Sequence, residues 1–196
     1  MRRRWLSALV VVVTGLALLP ATPAGAQGPV QEYLYDLTDP YLAPRFQEVT
    51  DTSDVLLAVR FRPTVSGTVN GVRICLDLTT LEVDHRLPVL GKLWTGDGQV
   101  LAAGGASEGI AYLAPCWVRF GLTSHVDADQ TYVIGFWLRG GQYSYVPHGF
   151  DSERSNGAHL TADGSLYAYV PALTDLPFPT DSWENADYLV SPEFTP

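Results

Sequence analysis

The stretch Thr131–Val146, TYVIGFWLRGGQYSYV, restricts the architecture of this chain more than any other. Two short runs rich in aromatic and β-branched residues flank Arg139-Gly140-Gly141-Gln142, and Gly-Gly between such runs predicts a β-hairpin. At period two, Tyr132, Ile134 and Phe136 share one face, and Val133, Gly135 and Trp137 share the other. Tyr143 and Tyr145 share a face on the return run. One face must enter a core. The other is either covered or forms a surface of unusual aromatic content.

Similar runs recur between turn residues along the rest of the chain, and no window shows a convincing 3.6-residue period outside the first 26 residues. Leu57, Val59 and Phe61 alternate within Leu56–Arg62, and Thr68–Leu76 follows Pro63 and Gly67. Gly91–Thr95 and Gln99–Ala103 flank Gly96-Asp97-Gly98, a second hairpin signal. Cys116–Leu122, Ser165–Tyr169 and Asp187–Phe194 complete the set. With 18 Gly and 14 Pro to supply turns, this pattern predicts an all-β antiparallel sandwich of eight or nine strands, immunoglobulin-like or like a carbohydrate-binding module. Val126 and Tyr132 are spaced as in a tyrosine corner, in which the phenol bonds to upstream backbone. Asp127 and Asp129 supply too few oxygens for calcium.

Residues 1–26 read as a cleaved secretory signal. Arg2, Arg3 and Arg4 precede the apolar run Trp5–Leu19, and Ala24-Gly25-Ala26 forms the small-x-small cleavage site. The apolar run is shorter than the roughly 20 residues needed to span a bilayer, so no membrane insertion is expected after cleavage. The expected organisation is then a lead-in over residues 27–54, ordered against a single sandwich domain over 55–196. The signal carries three of the twelve Lys and Arg and no acid, so the remainder holds nine basic against 21 acidic residues and a net charge of −12. Such a chain is repelled by nucleic-acid phosphates and anionic polymers, which excludes nucleic acid as a partner and suits neutral or cationic ones. In an oxidising compartment Cys75 and Cys116 are expected to form a disulfide. Cys75 is out of phase with Val72, Ile74 and Leu76, so the bridge requires a bulge or a strand that ends at Cys75.

The segments FRPTVSGTVNGVRI (Phe61–Ile74), GKLWTGDGQVLA (Gly91–Ala102), the hairpin region from Thr131 to Phe150, SLYAY (Ser165–Tyr169) and FPTDSWENADYLVSPEF (Phe178–Phe194) stand in order. Together they resemble the bacterial secreted module known as domain of unknown function 4082, over most of the chain from about Tyr33 to Pro196. The resemblance implies a β-sandwich often appended to extracellular, carbohydrate-associated or surface proteins, and implies no activity. Two departures stand out. The module is expected to stand alone, and Asp77–Val89, with Leu87-Pro88, replaces the usual short Gly/Asn-rich connection.

Catalytic chemistry finds little support. Gly105-Ala106-Ser107-Glu108-Gly109 fits G-x-S-x-G, but a nucleophile elbow requires a strand-to-helix turn in an α/β sheet, and this motif lies between β runs. His85, His125, His148 and His159 lack metal-ligand spacing, so no metal or cofactor is expected. The 21 acids offer many pairs at glycosidase separations, so no pair is informative. The aromatic residues carry the remaining signal. Alternation sets Trp94 opposite Leu93, Trp117 opposite Val118 and Trp137 opposite Phe136, away from the core. Leaving three such rings exposed forfeits roughly 5–9 kcal/mol. In one reading, loops such as Asp77–Val89 and Val170–Trp183 cover them. In the other, Trp94, Trp117, Trp137 and Trp183 form a flat platform for sugar rings, with Asp97, Asn185 or Asp187 bonding at its edge. The expectation is a secreted, non-catalytic module that binds glycan or another extracellular ligand. A structural or protein-interaction module is the alternative, and a hydrolase the third reading.

Overall fold

A computed structural model describes residues 30–35, 47–50, 53–76, 90–105, 110–113, 116–171 and 175–196. The strands are β1 (Gln47–Thr50), β2 (Val55–Pro63), β3 (Gly67–Cys75), β4 (Leu90–Thr95), β5 (Val100–Gly105), β6 (Ile110–Leu113), β7 (Trp117–Val126), β8 (Tyr132–Leu138), β9 (Gln142–Tyr145), β10 (Arg154–Ser155), β11 (Leu160–Tyr169) and β12 (Val190–Thr195). A six-stranded antiparallel sheet in the order β10-β11-β2-β8-β4-β5 packs against a four-stranded sheet in the order β12-β3-β7-β6, and β1 pairs with β9 separately. The all-β antiparallel sandwich is therefore present, with twelve strands among the described residues where eight or nine were expected. The additional three, β1, β6 and β10, have two to four residues each.

The core lies between the sheets. β2 contributes Leu57, Val59 and Phe61, which stand opposite Phe136, Ile134 and Tyr132 of β8, and Leu93 of β4 lies on the other side of Ile134. Val72 and Ile74 of β3, Val118 and Phe120 of β7, and Val190 and Phe194 of β12 close it from the smaller sheet. Gly135 sits mid-strand because β2 comes too close for a side chain: a Cβ there would stand 2.6 Å from the Leu57 carbonyl oxygen.

The hairpin expected at Thr131–Val146 does not form. β8 is a central strand with β2 on one edge and β4 on the other, so no edge is left for the return strand. Arg139–Gly141 forms a single 3-10 turn in which Gly140 (φ 67°) and Gly141 (φ 50°) take left-handed backbone. The Gly140 N–H donates to Asp54 Oδ1 at 2.8 Å, and the chain leaves the sheet to pair β9 with β1. The β4–β5 hairpin forms as expected, with a register shift opposite Leu93/Trp94.

The corner at Tyr132 is also present: its phenol oxygen accepts the Asp127 N–H at 2.8 Å. Cys75 and Cys116 are bridged, with Cα atoms 4.9 Å apart. β3 ends at Cys75 and Cys116 lies one residue before β7, which resolves the phase conflict. At the other end, residues 30–35 run as a strap along the outer edge and face of the smaller sheet. Glu32 and Phe194 exchange both backbone bonds, Leu34 N–H donates to Ser191 Oγ, and the Tyr33 ring lies under the Arg73 guanidinium at 3.6 Å. The Glu32 carboxylate holds the His159 N–H at 2.9 Å and His159 Nδ1 at 2.6 Å.

Candidate functional site

The three tryptophans read either as a face covered by loops or as a platform are buried, each 1% exposed. Trp94 and Trp137 do lie on the outer face of the six-stranded sheet, as alternation requires. There they join Leu56, Ala58 and Val133 beneath Val170, Leu176 and Phe178. Trp137 Nε1 donates to the Val170 carbonyl at 3.1 Å, Phe178 meets Trp94 edge-on, and Lys92 Nζ donates to the Leu176 carbonyl at 3.0 Å. Val170 and residues 175–178 thus cover this face. Trp117 is buried against Tyr35, their rings 5.6 Å apart and nearly parallel.

The predicted edge groups divide in the same way. The Asp97 carboxylate accepts the Thr95 hydroxyl inside the β4–β5 turn. Asp187 is fully buried: Oδ1 accepts Tyr35 Oη–H at 2.6 Å and Leu189 N–H at 2.8 Å. Arg154 Nε lies 3.3 Å from its Oδ2, near enough for charge pairing though not aligned as a hydrogen bond. Burial pushes the Asp187 carboxyl pKa up against the opposing pull of Tyr35, Arg154 and Leu189. Asp187 is thus closed off from the surface, whereas Asp97 stays exposed at the tip of the β4–β5 turn. Ser107 and His85 lie outside the described residues, as do residues 1–26 and Asp77–Val89.

Trp183 and Asn185 are exposed, and around them the structure assembles a different aromatic site. Trp183 packs on Tyr145 at 5.2 Å. Tyr145 shares a face of β9 with Tyr143, which meets Tyr188 at 5.8 Å. Tyr188 in turn meets Tyr167 at 6.3 Å, and Tyr167 meets Tyr169 at 5.7 Å. Tyr188 and Tyr145 form the buried floor, while Tyr143 and Tyr167 are half-buried. Trp183 (41%) and Tyr169 (55%) present the greatest exposure of the six. Burial, reinforced by the neighbouring tyrosines, raises the Tyr188 phenol pKa well beyond the usual range, so it remains a proton donor.

The backbone beneath this site is strained. Ala186 N–H donates to the Trp183 carbonyl at 2.8 Å, and Glu184 (φ 44°) and Asn185 (φ 51°) between them are both left-handed, a type I′ turn usually built with glycine. Leu189 (φ 58°) and His148 (φ 54°) are left-handed as well. Such residues cost of the order of 1 kcal/mol or more each and persist only where their surroundings hold them. Here Phe150 N–H donates to the Asn185 carbonyl at 2.9 Å and Asn185 Nδ2 donates to Asp151 Oδ1 at 3.0 Å, tying the two turns together.

A cleft of about 400 Å³ also opens beside the strap, lined by Glu32, Tyr33, Tyr35, Arg73, Asn156 and Gly157. Its charged groups are committed: Arg73 bonds Tyr33 Oη and Glu193, and Glu32 holds His159. Among the described residues no cluster of His, Cys, Asp or Glu could hold a metal ion.

Fold and site together define an antiparallel β-sandwich with a tyrosine-rich, partly exposed aromatic end. Residues 41–190 match the family described as Domain of unknown function (DUF4082), and the chain belongs to that family. No curated protein and no solved structure matches it significantly.

Proposed function

We propose that this domain is a secreted, non-catalytic recognition module that binds glycan on the end built from Trp183, Tyr145, Tyr143, Tyr188, Tyr167 and Tyr169. The observation supporting this reading is the partial exposure of Trp183 and Tyr169 above a strained, cross-tied turn. Fully burying a large side chain contributes about 1.5–3 kcal/mol, so rings held partly exposed forgo stabilisation that a bound ligand would restore. Sugar rings offer C–H faces to such aromatics, and the phenols, Asn185 and Asp151 supply partners for their hydroxyls. Secretion accords with the expected signal and the Cys75–Cys116 bridge.

The test is a glycan array probed with the full chain and with Trp183→Ala and Tyr169→Ala. Loss of glycan binding in both variants, with melting temperatures little changed, is the expected result. A wild-type chain that binds no glycan overturns the reading. A protein-interaction module without a small-ligand site is the alternative. It is favoured by β5, which exposes Val100 and Leu101 at the edge of the six-stranded sheet.

A further inference from the structure

We infer that the ligand taken by the aromatic end carries organic ammonium groups, specifically as a de-N-acetylated amino-sugar oligomer. This inference rests on the glycan reading above and specifies its chemistry. Three observations converge on it.

The first is ring orientation. Stacking on an extended sugar surface calls for coplanar rings, yet the successive planes here cross at 86°, 81° and 78°, and Trp183 is inclined 56° to Tyr145. Rings at such angles pack edge to face on one another, and the faces left partly open, those of Trp183 and Tyr169, carry the negative end of the aromatic quadrupole. A cation placed over the part of the Trp183 or Tyr169 face left open to solvent is attracted to it.

The second is the rim. Asp181 exchanges both backbone bonds with Tyr167, Glu184 follows Trp183 in the turn, and Asp151 is bonded to Asn185, so three exposed carboxylates border the rings. Among the described residues no Lys or Arg is ion-paired with any of the three. Asp151 has His148 Nδ1 at 3.6 Å, and Arg154 is committed to buried Asp187. The third is the whole chain, which carries a formal net charge of −9 and draws cations towards its surface. An unsubstituted neutral sugar uses none of this charge, whereas an amino sugar offers both C–H faces for the rings and an ammonium for the carboxylates.

The experiment is calorimetric titration of the full chain with a glucosamine tetramer and with its fully N-acetylated counterpart, at low salt and again at about 0.5 M salt. The deacetylated oligomer is expected to bind on the order of tenfold more tightly, the equivalent of one well-placed charge contact. That advantage should shrink at high salt, because exposed charges are screened. Trp183→Ala should abolish binding of both oligomers. Asp181→Asn combined with Glu184→Gln should weaken the deacetylated oligomer several-fold and leave the acetylated one unchanged.

Equal affinity for the two oligomers overturns the ammonium inference and leaves the glycan reading standing. The same holds for a chain that binds neutral glycans on the array but neither oligomer. A deacetylated oligomer that binds Trp183→Ala as well as wild type reports only diffuse attraction to an acidic surface, and also overturns the inference. A chain that binds no glycan of any kind overturns both.

Discussion

Replacement of Trp137 by alanine tests whether the outer face of the six-stranded sheet is a second core or a binding surface. The ring is fully buried among Leu56, Ala58, Val133 and Val170, and its Nε1–H donates to the Val170 carbonyl at 3.1 Å. Truncating a buried tryptophan costs about 3–5 kcal/mol in lost transfer and cavity formation. The Val170 carbonyl, left without its donor, adds on the order of 1 kcal/mol. The expected loss is therefore ~4–6 kcal/mol, which in a domain of this size lowers the melting temperature by ~10–20 °C. Chemical denaturation and thermal unfolding monitored by circular dichroism would measure it. The companion Trp183→Ala, removing a ring that is 41% exposed, should cost only about 1 kcal/mol. A second readout is local. Hydrogen exchange at Val170 N–H, bonded to Asp54, and at Asp181 N–H, bonded to Tyr167, should accelerate before the core strands do. A loss below about 1 kcal/mol at Trp137, or equal losses at the two tryptophans, would refute the covered face.

Three further outcomes follow from the same packing. Removing the bridge by Cys75→Ser with Cys116→Ser, a separation of 41 residues, should destabilise the chain by about 4 kcal/mol in the loop-entropy model, measured by urea unfolding. Tyr132→Phe deletes the acceptor of the Asp127 N–H and should cost about 1–2 kcal/mol; an unchanged unfolding midpoint would show that the corner contributes nothing. Asp187 should leave a signature in pH dependence. Its folded pKa lies above the unfolded value, so the folded chain binds the proton more readily, and the stabilisation from this group is complete below the ordinary carboxylate pKa of about 4 and is lost as pH rises through the folded value. The stability of wild type relative to Asp187→Asn should therefore rise as pH is lowered from neutral towards 4, and a flat or inverted difference would refute the assignment.

The strands legible in the sequence were those long enough to alternate. Leu57, Val59 and Phe61 identify β2 and its inner face, and Val126–Tyr132 marks the corner, because period and spacing are local properties. The Gly140-Gly141 pair misleads for a physical reason. It permits left-handed backbone, but whether the chain then folds back or departs depends on whether β8 has a free edge, and that is decided by distant β2 and β4. The tryptophans illustrate the same limit. Alternation correctly puts Trp94 and Trp137 on the outer face, and Val170–Trp183 is one of the loops weighed as its cover. That segment nevertheless has no periodicity to say that Val170, Leu176 and Phe178 are the residues that close over the rings. The tyrosine-rich end was half visible: Tyr143 with Tyr145, and Tyr167 with Tyr169, each show period-two spacing, but their meeting with Tyr188 and Trp183 arises from tertiary structure.

The strap has a mechanical consequence. Glu32 and Phe194 are antiparallel neighbours, so the chain enters and leaves the sandwich at one point, and tension applied between these ends pulls the two backbones apart sideways instead of shearing them. Bonds loaded in that direction fail one after another at low force: first the Glu32–Phe194 pair, then Leu34 from Ser191, then Tyr35 from Asp187. The Cys75–Cys116 bridge and the β2–β8–β4 centre lie outside the initial path of the load. Under stretching the domain would release its strap first and keep its sandwich, a graded yielding element instead of a brittle one.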